Sequence, residues 1–282
     1  MKHRLLSRVS AAVFCAAAVI SLSACGSGSS GKLTTKATEP AAPPTVSVTI
    51  PEGSCCVQAA AILEESGVCS SESFLAAVNN EENLALIPWE LEEKEERPFL
   101  LEGYVFPDTY EFYTGRDGQY ALERILENTK VKITPVMEER AGELDYSIDE
   151  ILSIASIIQE EAGHAKDMPY VSSVIHNRLD SPDYPYIQCD VSIRYLEDRV
   201  KPFFTEDEYS RICDFYNINS KRKGLPAGPI TNPGLDAINA ALEPPESDYY
   251  FFVTDEEENY YFAETYSEHR ENCKKAGIGG DY

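Results

Sequence analysis

The sequence predicts an α+β protein, a small strand-and-helix module followed by a larger mixed domain. Three observations carry this. Val46 to Ile50 alternates apolar and polar side chains, the two-residue period of a half-buried strand. From Val57 onward the apolar residues recur at helical spacing in several short segments punctuated by Gly and Pro. Hydrophobic residues make up 43% of the 282-residue chain and aromatics 10%, enough apolar surface to build a core and exclude wholesale disorder.

The elements follow in order. After the strand, Pro51-Glu52-Gly53 turns the chain, Val57 to Ser66 reads as a helix closed by Gly67, and Ser70 to Val78 as a second one. Residues 46–97 are too few to bury much core alone. Glu90 to Arg97 is a charge run, read as solvated surface. Residues 98–278 form the larger domain. In it, Tyr120 to Arg140 is an amphipathic helix that Pro135 kinks or breaks. Ser147-Ile148-Asp149-Glu150 is a capping box leading into ILSIASIIQEEA, residues 151–162.

The helix that begins there holds the strongest candidate site. At about 100° per residue, Ile151, Ile154, Ala155, Ile158 and Ala162 form one apolar stripe, with Glu161 on its flank. Glu160 projects to the other side, with Asp149, Ser153 and Ser156, and is expected to be solvated. A carboxyl held against apolar side chains resists ionisation and can serve as a general acid. The plainer alternative is a boundary glutamate paired with a cation, for which Arg178 is the obvious candidate.

Composition excludes one class of function. Forty-eight acidic residues against 24 Lys and Arg give a net charge of −24. Such a chain lacks the cationic footprint that displaces counterions from DNA or RNA. The three mature histidines, His164, His176 and His269, are scattered, and no C-x-x-C pair occurs, so no zinc site or other metal centre is expected.

The N-terminus sets an expected compartment. Residues 1–24 combine Lys2, Arg4 and Arg8 with an apolar run, Ala11 to Leu22, too short to span a bilayer but suited to a secretory signal. The run ends in Leu22-Ser23-Ala24-Cys25, which resembles a bacterial lipobox with Cys25 as the lipidated residue. A plain signal peptide with an incidental Cys is the alternative. Residues 25–45, rich in Gly, Ser, Thr and Pro, read as a flexible tether. The expected location is the extracytoplasmic face of a bacterial membrane, with the chain lipid-anchored. Six further cysteines, at 55, 56, 69, 189, 213 and 273, are free to pair there in ways the sequence leaves open.

Several motifs in order resemble the YceG-like family, the endolytic murein transglycosylases. They are LEGYVFPDTYEF (residues 101–112), ILSIASIIQEEA (151–162), VIHNRL (174–179), IQCDVSIRY (187–195), GLPAGPITNPG (224–234) and YYFFV (249–253). The family's helix motif ends in two acids separated by one residue, the second of them catalytic, and that position here is Glu161; Gln159 replaces the first. Other departures are Val191 for the proline of D-P-T, Asn219 for the second Tyr of Y-N-T-Y, and Tyr260 for the His of G-x-H-x-F.

The resemblance implies a LysM-like module at 46–97 and a catalytic domain at 98–278. It implies cleavage of MurNAc–GlcNAc linkages inside peptidoglycan strands to give 1,6-anhydroMurNAc ends, terminating nascent strands, without a cofactor. Glu161 would be the catalytic acid. Gln188, Asp190, Tyr216 and Asn217 would contact the saccharide, and Gly224 to Gly234 would form a rigid loop shaping the cleft. Glu102 and Asp108 are read as structural acids. Peptidoglycan strands, and peptidoglycan synthases by association, are the implied partners. Two rival readings stand beside this one: a non-catalytic wall-binding lipoprotein scaffold, and a water-using muramidase with Asp190 as second carboxylate.

Overall fold

The structure is a computed structural model and describes residues 44–279. The signal segment, Cys25 and nearly all of the tether lie outside the described residues. Among those described, no helix is long and apolar enough to cross a membrane.

The chain begins with β1 (Thr45–Thr49), α1 (Cys56–Glu65) and α2 (Ser71–Val78), close to the expected bounds. β1 then pairs antiparallel with β2 (Thr109–Tyr113), from Thr45 opposite Tyr113 to Thr49 opposite Thr109. The strand of the first module is therefore completed by a strand from beyond residue 97. Val48, Tyr110 and Phe112 turn inward while their neighbours face outward, as the two-residue period requires. In the acidic run one end is not solvated: Arg97 is buried and ion-paired with buried Asp149.

The expected Tyr120–Arg140 helix is two helices, α3 (Gly118–Lys132) and α4 (Pro135–Glu143). Pro135 breaks the helix, one of the two expected outcomes, and starts the second because its fixed φ and missing N–H suit a first helical turn, with Thr134 as cap. Next come α5 (Ile148–Glu161), α6 (Met168–Leu179), the short α7 (Val191–Tyr195), α8 (Glu206–Tyr216) and α9 (Leu235–Leu242). A hairpin of β3 (Phe251–Thr254) and β4 (Tyr260–Ala263) and the helix α10 (Tyr266–Lys275) follow. Among the described residues, two small antiparallel sheets set among helices make an α+β fold.

The helix α5 lies at the centre, packed against α4, α6, α7 and α9. Its capping box forms as expected: Glu150 N–H donates to Ser147 Oγ at 3.2 Å and Ser147 N–H to Glu150 Oε2 at 2.8 Å. The face expected to be polar and solvated is instead buried. Asp149, Ser153 and Ser156 are each no more than 2% exposed. Tyr104 Oη donates to Asp149, Ser153 Oγ to the carbonyl of Asp149, and Ser156 Oγ to the carbonyl of Ser153. With every polar group satisfied, the whole girth of the helix can enter the core.

The loop 224–234 docks on that face. Ile230 N–H donates to Ser156 Oγ at 3.1 Å, and Gly234 N–H to Gln159 Oε1 at 3.0 Å. Gly103 shows why two of the sequence motifs meet. It has φ +89°, and a Cβ there would lie 2.3 Å from Pro229, so only glycine fits.

Candidate active site

The C-terminal end of α5 delivers Glu161 to the wall of a cleft of about 720 Å3. Arg178 of α6, the Ile187–Asp190 segment, Asn219 and the β3 residues Phe251 to Thr254 form much of the rest. Glu161 is half-buried and Glu160 exposed. Burial pushes the Glu161 carboxyl up to about 6, with repulsion from Asp190 adding to the rise. A bond from the Cys189 thiol, the Arg194 charge and a bond from the Val191 N–H pull the other way. The acid is therefore protonated in part near neutrality and can both give and take a proton.

The Arg178 pairing does not form. Its guanidinium donates instead to the carbonyls of Tyr250 (2.6 Å), Tyr186 (3.0 Å) and Ile187 (3.3 Å) and to Gln188 Oε1 (2.7 Å), and lies over the ring of Phe251. Four acceptors fix one face of the cleft and leave Glu161 without a guanidinium partner.

Gln188 and Asp190 do line this cleft. Gln188 has φ +60°, an uncommon conformation for a side-chain-bearing residue, and is held there by its N–H to the Ile218 carbonyl and by Arg178. Asp190 accepts from Asn219 Nδ2 at 2.6 Å.

Tyr216 and Asn217, expected to contact saccharide, do not line this cleft. Tyr216 is fully buried, its ring 5.8 Å from that of Tyr195. It lies one turn after Ile212 on the buried face of α8, so helical periodicity, not ligand contact, accounts for it. Asn217 Oδ1 accepts from the N–H groups of Asn219 and Ser220 and shapes the turn after α8.

The loop 224–234 is not in this cleft either; Ile230 and Thr231 line a neighbouring pocket. Glu102 is fully buried, accepting from Cys56 N–H at 2.8 Å, and Asp108 pairs with Lys132 at 2.8 Å, so both are structural acids. Among the described residues, no group of His, Cys, Asp and Glu side chains could hold a metal.

Sequence reasoning missed three contributors. Cys189, noted only as a thiol free to pair, is buried beside Glu161 and is the largest influence holding its carboxyl down. All six described cysteines carry free thiols. Asn219 orients Asp190. Tyr260 Oη donates to the Glu161 carbonyl at 2.6 Å and accepts from Gly163 N–H at 2.9 Å, clamping the end of α5. The departures from the family pattern at the positions of Asn219 and Tyr260 were the available signal for two of them.

The sequence matches the YceG-like family over residues 27–275. This chain belongs to the YceG-like family. A solved YceG-like protein of Listeria monocytogenes shares 27% identity and a TM-score of 0.67, over 82% of this chain and 76% of that one. Two curated relatives are named endolytic murein transglycosylase. One, from Bacillus subtilis strain 168, is 29% identical over 81% of this chain and 64% of its own length. The other, from Streptococcus pneumoniae D39, is 28% identical over 83% of this chain and 45% of its own length. The chain thus spans about half to two thirds of the length of these curated relatives.

Proposed function

We propose that this chain is an endolytic peptidoglycan lytic transglycosylase with Glu161 as its single acid and base. The observation that carries the reading is Glu161 itself, an unpaired carboxyl raised to about 6 in an open cleft of a YceG-like chain. The names of the curated relatives supply the reaction class.

Two carboxylates are the rule in glycoside hydrolysis. An internal nucleophile removes the need for the second. Glu161 protonates the departing glycosidic oxygen, then as carboxylate takes the proton from the MurNAc 6-hydroxyl. That oxygen bonds to C1 as the C1–oxygen link to the next sugar breaks. A 1,6-anhydro end and a free 4-hydroxyl result, with no water consumed, and the tethered hydroxyl has the entropic advantage of proximity. Gln188 and Asp190 line the path of the sugar.

The LysM-like reading of the N-terminal unit gives it a carbohydrate-binding role in holding the strand. Residues 1–24 and Cys25 support secretion and lipid anchoring on the outer face of a bacterial membrane, where strands and their synthases are found.

The test is mass spectrometry of products after the full chain meets uncrosslinked strands. Internal fragments with anhydro ends are expected, lost in Glu161→Gln and kept in Glu160→Gln. Reducing MurNAc ends would replace this reading with a muramidase using Asp190. Binding without cleavage would leave a scaffold. In bacteria producing the full chain, Cys25→Ser should move the protein out of the membrane fraction; if it stays, the lipid anchor at Cys25 is wrong.

A further inference from the structure

A second pocket, of about 350 Å3, adjoins the Glu161 cleft. Consecutive residues face the two: Glu160 lines the pocket and Glu161 the cleft, Val191 the pocket and Asp190 the cleft. The two therefore share stretches of backbone at two places. The pocket's volume is within the range of small-ligand sites.

Four charged side chains line it. Arg194 and Arg199 both line it, and neither has an ion-pair or hydrogen-bond partner for its guanidinium among the described residues. Glu160 and Asp198 stand in the same pocket without closing on either guanidinium. Glu160 is packed instead toward Gly53, where φ is +74° and a Cβ would lie 2.9 Å from Glu160 Oε1. Two cations and two anions spaced around a cavity suit a ligand carrying both signs, with its carboxylate at the guanidiniums.

We infer that this pocket receives the carboxylate-bearing peptide substituent of a glycan strand whose sugar lies in the Glu161 cleft. The inference rests on the proposed action on peptidoglycan and assigns its substrate class: strands that still carry their peptides. Gln58 of α1 and Thr231 of the 224–234 loop complete the pocket, so the N-terminal unit takes part in substrate choice.

The experiment uses the full chain carrying Glu161→Gln, so that strands are bound without being cut. Fluorescently labelled glycan strands are prepared with their peptides and after removal of the peptides by an amidase. Fluorescence anisotropy should give a Kd about tenfold lower for the peptide-bearing strands. Adding Arg199→Gln should raise that Kd to the value of the stripped strands, and methyl-esterified peptides should bind the parent no better than none. Equal Kd values for the two strands in the parent protein overturn the proposal, as does a preference that survives Arg199→Gln or esterification. The strand comparison needs no second variant to fold. Cleavage products from the unmutated chain report separately on the reaction, so failure of the chemistry and failure of the pocket are distinguishable.

Discussion

Glu161 is tuned by two donors that its own helix does not supply. The Cys189 thiol and the Val191 N–H both stabilise the carboxylate, against burial, which favours the neutral acid. Burial together with Glu161 keeps the Cys189 thiol protonated and so able to donate. Val191 stands where the family pattern has proline, which has no N–H to offer. Removing the thiol in Cys189→Ala takes away a group that favours the charged form, so the Glu161 carboxyl should rise further above about 6. Because the acid must be protonated to start the reaction, the alkaline limb of the kcat/KM profile should move to higher pH, while Cys189→Ser leaves it near its original position. An unchanged limb in Cys189→Ala would remove the thiol from the site's electrostatics.

At the scale of elements, the site depends on how the last turn of α5 is held. A helix end leaves carbonyls without intrahelical partners, and here Tyr260 of β4 satisfies that of Glu161 while accepting from Gly163. The Tyr260 ring packs against Phe252 and Phe262, so the hairpin fixes where the hydroxyl stands. Tyr260→Phe keeps the ring and deletes both bonds. Each such bond contributes on the order of 1 kcal/mol to stability. A carboxyl that swings out of line loses more in rate than in binding, so kcat should fall about tenfold with KM little changed. Steady-state kinetics beside thermal unfolding decide this; equal losses in stability alone, with kcat intact, would make the clamp a fold contact only.

Over the whole molecule, Glu102 ties folding to pH. It is fully buried at the meeting point of Cys56, Tyr195 and Asn232, and burial pushes its carboxyl up to about 8 despite the bonds it accepts. The folded state therefore holds a proton that the unfolded chain releases above its ordinary value of 4.5. Stability from this group is complete below that value and declines as pH rises toward about 8. By pH 7 the loss is roughly 3 kcal/mol, at 1.36 kcal/mol per unit. Glu102→Gln keeps the shape and an acceptor without the titration, so its Tm should fall less than the parent's between pH 5 and pH 8. Parallel curves would place the ionisation elsewhere.

What the sequence by itself determined was local. Strand alternation at residues 46–50, the capping box at Ser147 and Glu150, and the position of Glu161 on the helix flank all depend on neighbours within a few residues, which periodicity reports directly. The family resemblance extended this to the role expected of the acid. What only the tertiary structure decided involved residues far apart in the chain. Asp149, Ser153 and Ser156 read as a wet face, yet Tyr104, Arg97 and the loop 224–234 satisfy and bury them. Tyr216 read as a sugar platform, yet its ring is packed in the core. Cys189, Arg194 and Tyr260 reach Glu161 or its helix end from other elements, and periodicity carries no record of which side chains long-range packing brings together.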